Sequence, residues 1–243
     1  MKNIPEFTET IEEWTHFFIP LSDGIKLAAR AWLPINAIEQ PVPAILEYIP
    51  YRKRDGTAIR DEQMHPYWAA FGYACVRVDI RGSGESDGLL HDEYLQQELD
   101  DAVEVINWLE HQDWCSGKVG MMGKSWGGFN CLQVAALRPS ALKAIITVCS
   151  TDDRYADDVH YRGGAVLIEN FSWASTISGF MAKPPDPLLL PETWRENWLE
   201  RLQNMPFFAK NWLEHTYKDA YWKHGSINED YSAIEAAVYC VGG

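Results

Sequence analysis

A G-x-S-x-G pentapeptide at residues 123–127 is the feature that most constrains how this chain can fold. It follows the apolar run at residues 118–122 and precedes a helix-like stretch at residues 129–137. This pattern is typical of a nucleophile elbow, in which glycines two positions either side of the serine remove Cβ atoms that would clash in a strained strand-to-helix turn. The pattern predicts that Ser125 Oγ is exposed as a nucleophile.

The residue after the serine has a second predicted role. An elbow points the backbone N–H of Trp126 toward the attacked carbonyl, so one short segment supplies the nucleophile and half of an oxyanion hole. An ordinary glycine-rich turn has the same five letters. The flanking strand and helix favour the elbow.

Composition narrows the class of protein. A chain of 243 residues that is 47% hydrophobic is long enough for one large α/β domain or two smaller ones. Its net charge of −14, from 35 acidic and 21 basic residues, argues against a nucleic-acid partner or an anionic membrane, because either would be repelled overall. Eleven Trp and eleven Tyr indicate aromatic packing or an apolar pocket.

The N-terminus and the cysteines indicate a cytoplasmic protein. The first residues lack a basic segment followed by an apolar one, so no secretory signal is predicted, and no run approaches the roughly 20 apolar residues that span a bilayer. The five cysteines are scattered and odd in number, without a C-x-x-C pair. They are predicted to be buried reduced thiols.

Strand and helix patterns alternate over the first 150 residues. An Asp-Gly turn at residues 23–24 predicts an antiparallel hairpin of residues 14–20 and 25–33. Short apolar runs predict parallel strands at residues 44–49, 73–80, 118–122 and 144–148. Helical spacing is found at residues 61–71, 94–112 and 126–137. This order predicts an α/β fold with one twisted, mostly parallel sheet and helices on both faces.

The pattern changes after residue 150. Trp-rich amphipathic segments at residues 192–203, 206–215 and 217–224 predict a helical cap insertion over residues 151–232 without a convincing strand. Residues 236–241 are again strand-like. We therefore expect residues 1–150 to form the first part of the core, residues 151–232 the cap, and residues 233–243 a return strand.

A serine nucleophile needs a base and an acid, which in α/β-hydrolases follow in the order Ser, then Asp or Glu, then His. The usual positions for both would come after residue 241, so we expect them to be missing from this sequence. His160, His215 and His224 follow Ser125 in polar or helical surroundings and are weak candidates for the base.

Other side chains fit the catalytic order less well or not at all. Asp152 and Asp153 follow the strand after the elbow, from which a carboxylate can also reach a histidine. His65, His91 and His111 precede Ser125 and violate the expected order.

Tyr51 is a candidate for the second oxyanion donor. It follows the third predicted strand, where such folds bring the other half of the hole, and a Tyr hydroxyl can donate there. A packing aromatic is the alternative interpretation. The glycine-rich loop at residues 79–88 lacks the P-loop ending and the full G-x-G-x-x-G spacing, so no nucleotide site is predicted. No cofactor or metal is predicted.

Four segments together resemble the X-Pro dipeptidyl-peptidase-like, or cocaine-esterase-like, acyl hydrolases of the α/β-hydrolase superfamily. The segments are the Pro-Tyr-Arg-Lys at residues 50–53, the loop at residues 78–88, the stretch at residues 108–120 and the elbow. The resemblance implies an α/β-hydrolase fold with a helical cap, Ser125 as nucleophile, and Tyr51 hydroxyl with Trp126 backbone N–H as the oxyanion hole. The implied substrate is a small-molecule ester or amide, or a short peptide.

The sequence also departs from this family. The family elbow is G-x-S-Y-x-G, whereas Trp126 and Gly127 follow the serine here. Family members continue past a Gly-Gly-Trp-x-Asp-like segment that would begin at Gly242, and the acid, the His and a β-sandwich domain come later. The resemblance therefore implies an N-terminal portion in which the C-terminal part of the fold is missing.

Two functions stay open at this point. The favoured one is a serine acyl hydrolase acting through an acyl-enzyme, with little activity of this portion alone. The alternative is a non-catalytic remnant whose aromatic cap binds an apolar ligand or a partner subunit. Neither acyl specificity nor oligomeric state is predicted.

Overall fold

A seven-stranded, mostly parallel sheet organises the chain, and the computed structural model describes residues 9–242 of it. The strands are β1 Ile11–Pro20, β2 Lys26–Pro34, β3 Val42–Ile49, β4 Ala74–Asp79, β5 Cys115–Lys124, β6 Leu142–Val148, β7 Tyr161–Arg162, β8 Ala165–Val166 and β9 Ala237–Val241. The large sheet has the order β1-β2-β4-β3-β5-β6-β9, and β7 pairs with β8 alone. The predicted α/β fold is confirmed.

The sheet begins with the predicted hairpin. β1 and β2 are antiparallel, and Gly24 in the turn between them has φ 91°, a conformation that suits glycine. β2 is also antiparallel to β4, whereas β4, β3, β5, β6 and β9 are mutually parallel. Because parallel strands share one direction, their carboxyl ends meet at one edge of the sheet.

Helices cover both faces. The helices of the first part are α1 Ala58–Ala69, α2 Gln96–Glu110 and α3 Trp126–Ala136. Ala69 of α1 packs with Cys75 and Trp32 in a small apolar cluster, while Val76, the next residue of β4, belongs to the main core with α2 and α3. Successive strand residues point to opposite faces, so α1 lies on one side and α2 and α3 lie on the other.

The chain between β6 and β9 is mainly helical, as predicted. It contains α4 Glu169–Met181, α5 Trp194–Asn204, α6 Phe208–Glu214, α7 Ala220–Lys223 and one 3-10 turn, Tyr231–Ala233. The expectation of no strand here is wrong, because β7 and β8 form a short hairpin whose turn has Gly163 and Gly164 at positive φ. The helix α4 was also not predicted from the sequence. The boundaries at residues 150 and 232 stay a prediction.

The last strand is more exposed than the other strands of the large sheet. All five residues of β9 are exposed, and Tyr239 is 66% accessible. Cys149 and Cys240 are exposed as well, so the prediction that all cysteines are buried is wrong for these two, which lie beside or within the edge strand. Among the described residues, no helix combines the length and apolar character that a bilayer span requires.

Candidate active site

The elbow is formed as the sequence predicts. Ser125 joins β5 directly to α3 and has φ 55° and ψ −118°, a left-handed conformation that is strained for a residue with a Cβ. Its N–H donates to Val148 O at 2.8 Å, and its own carbonyl accepts from Gly128 N at 2.7 Å. The side chain is exposed, whereas the next residue, Trp126, is 1% accessible. The strain therefore turns one hydroxyl outward from a buried turn.

Three glycines permit this turn. A Cβ on Gly123 would lie 2.5 Å from Gly127 Cα, and a Cβ on Gly127 would lie 2.8 Å from Ile49 Cγ2 at the end of β3. A Cβ on Gly128 would lie 2.9 Å from the Ser150 side chain. The predicted need for small residues either side of the serine is confirmed, and it extends to one further position.

Tyr51 lies against the elbow. Its hydroxyl lies close enough to the Ser125 side chain and to the Trp126 backbone N–H for both to lower its pKa. Burial raises the pKa of Tyr51 above its ordinary value, more than these two groups lower it. The hydroxyl thus keeps its proton at neutral pH and can donate a hydrogen bond at the point where Ser125 is exposed. The rings of Phe180 and Trp173 stand 5.4 and 6.4 Å from the Tyr51 ring.

Polar side chains hold the loop that carries Tyr51. The Lys53 N–H donates to both carboxylate oxygens of Asp79, at 3.0 and 3.1 Å. The Lys53 ammonium is fully buried and pairs with Glu85 at 2.8 Å, a carboxylate that is 1% accessible. Ser83 Oγ donates to the carbonyl of Pro50, the residue before Tyr51. Tyr51, which follows the end of β3, is therefore also positioned by Asp79 at the end of β4 and by Ser83 in the segment after it.

The cap contacts the same loop. Arg52 has φ 62° and donates to the carbonyls of Lys183 and Pro184, at 3.3 and 2.7 Å. The backbone N–H of Asp186 donates to Glu85 at 3.2 Å. The segment after α4 is thus bonded to Arg52, the residue after Tyr51, and to Glu85, the ion-pair partner of Lys53.

Trp126 contributes its backbone to the elbow and its side chain to the interior. The indole N–H donates to Glu98 Oε1 at 2.6 Å, and its ring lies 5.0 Å from Tyr94 and 6.1 Å from Trp173. Glu98 also accepts the Tyr94 N–H at 2.9 Å. Burial raises the pKa of the Glu98 carboxyl to about 8, although these hydrogen bonds and one from Asn130 lower it. Sequence reasoning missed Glu98 because a Glu in an amphipathic helix ordinarily faces solvent.

The structure brings none of the weaker histidine candidates to Ser125. His160 is buried and contacts Glu93 at 2.5 Å and Asn170 at 2.9 Å. His215 pairs with Asp219 at 2.6 Å on the surface, and His224 contacts the Tyr94 carbonyl at 2.6 Å. Within residues 9–242, no hydrogen bond joins Ser125 to a histidine side chain.

The two candidate carboxylates are also occupied by the cap. Asp152 contacts the Tyr231 hydroxyl. Asp153 pairs with Lys218 at 2.7 Å and accepts from Asn228 at 2.8 Å. Both side chains therefore fasten the cap segment to the chain after β6.

Glu47, Asp61 and His65 have the donor atoms for a metal ion within 4.8 Å of one another. Guanidinium groups already occupy this cluster, since Arg60 lies 2.5 Å from Glu47 and Arg77 lies 3.4 Å from Asp61. Added positive charge would be repelled there. These side chains therefore form an internal ion-pair network between α1 and the sheet.

The fold agrees with comparisons to known proteins. The sequence matches the X-Pro dipeptidyl-peptidase (S15 family) over residues 23–243. The chain belongs to this family. It is 32% identical to cocaine esterase from Rhodococcus sp. (strain MB1 Bresler) over 169 residues, which are 67% of this chain and 28% of that protein.

Solved structures show the same fold as this S15 family chain. A CocE/NonD family hydrolase from Staphylococcus aureus is 23% identical with a TM-score of 0.71, and the alignment covers 92% of this chain and 39% of that one. An α-amino acid ester hydrolase is 21% identical with a TM-score of 0.69 over 100% of this chain and 44% of that one. The chain thus spans less than half the length of these relatives, and it is a hydrolase-family chain with an α/β-hydrolase fold.

Gly123→Ala tests the steric account of the elbow. We expect it to lower the free energy of unfolding by about 1–3 kcal/mol, because the added methyl overlaps the Gly127 backbone. Urea denaturation of the wild type and the variant measures the two free energies of unfolding. Gly179→Ala is the control, since Gly179 lies in α4 with open space around it and should gain up to about 1 kcal/mol. Equal effects of the two changes would contradict the account.

Lys53→Met tests the buried ion pair. We expect a loss of about 3–5 kcal/mol in unfolding free energy, because Glu85 is left buried and unpaired. The double variant Lys53→Met with Glu85→Leu should recover much of it, since no lone charge remains. Lys210→Met, at a 67% exposed side chain, should change little. A double variant as unstable as the single one would show that the charge is not the cause.

Glu98→Gln tests the pH dependence that follows from the raised pKa. The unfolded carboxyl titrates at about 4.5 and the folded one at about 8, so folded wild type holds a proton that the unfolded chain releases between these values. Wild-type stability should therefore fall with rising pH across this window, relative to the variant, and level off above it. Thermal denaturation of both proteins from pH 4 to 9 measures the difference. Parallel curves would refute the assignment.

Proposed function

We propose that this chain carries the nucleophile and the oxyanion hole of a serine acyl hydrolase. One observation carries the proposal: the strained turn exposes Ser125 next to the protonated hydroxyl of Tyr51 and the backbone N–H of Trp126. Two hydrogen-bond donors beside an exposed nucleophile form the arrangement that stabilises a tetrahedral oxyanion.

The proposed reaction has two steps. Ser125 Oγ loses its proton to a base and attacks the substrate carbonyl carbon, whose oxygen becomes an anion that accepts from Tyr51 and Trp126. The carbonyl reforms as the bond to the alcohol or amine breaks, and that leaving group takes the proton. Water then attacks the acyl-enzyme in the same way and releases the acid. The base is not assigned to a described histidine, because those that follow Ser125 are bonded elsewhere.

The proposed substrates are small-molecule esters or amides, or short peptides. The names of the relatives support this range, since they include an esterase, an amino acid ester hydrolase and a dipeptidyl-peptidase family. The aromatic rings around Tyr51 support an apolar acyl group.

A second candidate is partner binding without catalysis, which the exposed edge of β9 favours. Within residues 9–242, β9 pairs only with β6, so its other edge and the exposed Val238, Tyr239 and Val241 offer a template for another strand. Light scattering of wild type and Ser125→Ala separates the two, because association at this edge does not involve the hydroxyl.

Ser125→Ala and Tyr51→Phe test the hydrolase proposal. In a chain extended through the acid and the His that the family resemblance implies, we expect Ser125→Ala to abolish labelling by an alkyl fluorophosphonate and hydrolysis of p-nitrophenyl acetate. Tyr51→Phe should lower the labelling rate by about 10²–10³, the usual effect of losing one oxyanion donor. Mass analysis of the labelled peptide and the time course of labelling give both results.

The matched controls are Ser175→Ala and Tyr217→Phe, at exposed positions of the cap. Both should label at the wild-type rate. A chain extended through the acid and the His that the family resemblance implies, if it takes no label at Ser125, or a Tyr51→Phe variant of it that labels normally, would overturn the proposal.

A further inference from the structure

Glu98 is a buried carboxyl that the proposed reaction does not use. It lies in the first turn of α2, is 5% accessible, and accepts one hydrogen bond on each oxygen, from the Trp126 indole and from the Tyr94 backbone. We call these two hydrogen bonds the Glu98 bridge. The bridge joins α2 to the residue that follows the nucleophile.

The surroundings of Glu98 supply no opposite charge. Among the ion pairs of the described residues none includes Glu98, and the nearby Glu93 carboxylate adds repulsion. A buried carboxyl without a cation is unfavourable unless it is hydrogen-bonded or protonated. An apolar side chain in this helix position would avoid the penalty but would leave the Trp126 indole and the Tyr94 backbone N–H without their acceptor. The two donors therefore explain why a carboxyl lies here.

The first hydrogen-bond partner of Glu98, the Trp126 indole, links this carboxyl to the proposed site. The Trp126 side chain is fixed by its indole hydrogen bond and by the Tyr94 ring, while the backbone N–H of the same residue faces Tyr51. The indole and this backbone N–H are joined through one Cα, so a displacement of the indole that shifts the Cα also shifts the donor. Oxyanion donors act over a narrow range of distance and angle, so a small shift weakens them.

The second hydrogen-bond partner of Glu98 is the backbone of Tyr94, which also lies beside the elbow. Tyr94 has φ 58°, and its ring stacks on Phe129 at 5.1 Å while the Arg154 guanidinium lies 4.8 Å from its centroid. The preceding residue, Glu93, accepts the Trp173 indole at 3.4 Å, and the Trp173 ring faces Tyr51. One carboxyl thus fixes two backbone segments that meet at the elbow.

We infer that Glu98 is a positioning residue of the oxyanion hole, which it orients through the Trp126 indole. The inference rests on the proposed function, because it assigns Glu98 a part in the hole formed by Tyr51 and Trp126. Glu98 itself touches no reacting atom. Its contribution is the orientation of one backbone N–H.

A double-mutant cycle tests the inference. The variants are Glu98→Leu, which removes both acceptors, Glu98→Gln, which keeps one, and Trp126→Phe, which removes the indole N–H and keeps the backbone donor. The readout is the equilibrium affinity for phenylboronic acid, which forms a tetrahedral adduct with a serine hydroxyl and does not need a fast proton relay. Titration followed by ¹¹B NMR gives the affinity, with Ser125→Ala as the blank.

We expect Glu98→Leu to weaken boronate binding by about tenfold, the effect of about 1.4 kcal/mol of lost orientation. Glu98→Gln should retain most of the affinity. In a Trp126→Phe background, Glu98→Leu should have no further effect, because the indole through which it acts is gone. Leu99→Ala, a buried neighbour in α2, should lower stability without changing affinity.

A second measurement does not depend on reactivity. The ¹H–¹⁵N signal of the Trp126 indole, assigned by its loss in Trp126→Phe, should lie downfield in wild type because of the short bond to Glu98, and move upfield in Glu98→Leu. An unmoved indole signal would overturn the inference.

The outcomes separate this inference from the proposed function. If wild type binds no boronate beyond the Ser125→Ala blank, the proposed oxyanion hole is wrong and the inference is overturned with it. If wild type binds and Glu98→Leu binds equally well, the inference alone is overturned. If affinity falls equally in Glu98→Leu with and without Trp126→Phe, Glu98 acts by another route and the inference is again wrong.

Discussion

The left-handed backbone at Ser125 depends on how closely α3 approaches the sheet. Glycines at residues 123, 127 and 128 leave no Cβ between the first turn of the helix, the end of β3 and the chain after β6. The Ser125 N–H then reaches Val148 O, which fixes the turn in the ladder between β5 and β6. A helix held farther out would release the strain, and both the hydroxyl and the Trp126 N–H would point elsewhere. The rest of the site is arranged around this contact.

The two halves of the site are held by different forces. Close packing positions Ser125, whereas buried ion pairs and hydrogen bonds position Tyr51. Arg52 in the Tyr51 loop adopts φ 62°, so the loop cannot continue the ladder of β3 and needs other partners for its backbone. Asp79 and Ser83 supply them. Because Arg52 also bonds the cap, any movement of residues 183–184 is transmitted to the tyrosine.

Local sequence signals predicted the sheet because each strand is a short apolar run between turn residues. The same signals failed for α4, whose sequence is rich in Ser, Thr and Gly, and which is stabilised by burying Ala174, Ile177 and Met181. Ser125 was predictable because elbow geometry demands a fixed local spacing. Tyr51 required the resemblance to a family as well, since nothing in its neighbours distinguishes a donor from a packing ring.

Glu98 and Lys53 could not be found from the sequence for a different reason. Charged residues are ordinarily exposed, and only the three-dimensional fold shows that these two are buried. His160 illustrates the converse. It follows Ser125 in the expected order, yet it is bonded to Glu93 and to Asn170 of the cap. Order along the chain restricts the candidates for a base, but contacts decide among them.

Glu85 and Glu98 are both buried near the site, but their burial is offset by different partners. Glu85 has a cation, Lys53, at 2.8 Å, so its burial is offset by an ion pair that an apolar pair of similar volume could replace. Glu98 has only hydrogen-bond donors, and the Trp126 indole and the Tyr94 N–H belong to segments that meet at the elbow. Ion pairing therefore explains the first carboxylate as part of the scaffold of the Tyr51 loop. The second carboxyl lowers stability as the pH rises from about 4.5 to about 8, and it holds the Trp126 indole in place, which an apolar side chain could not do.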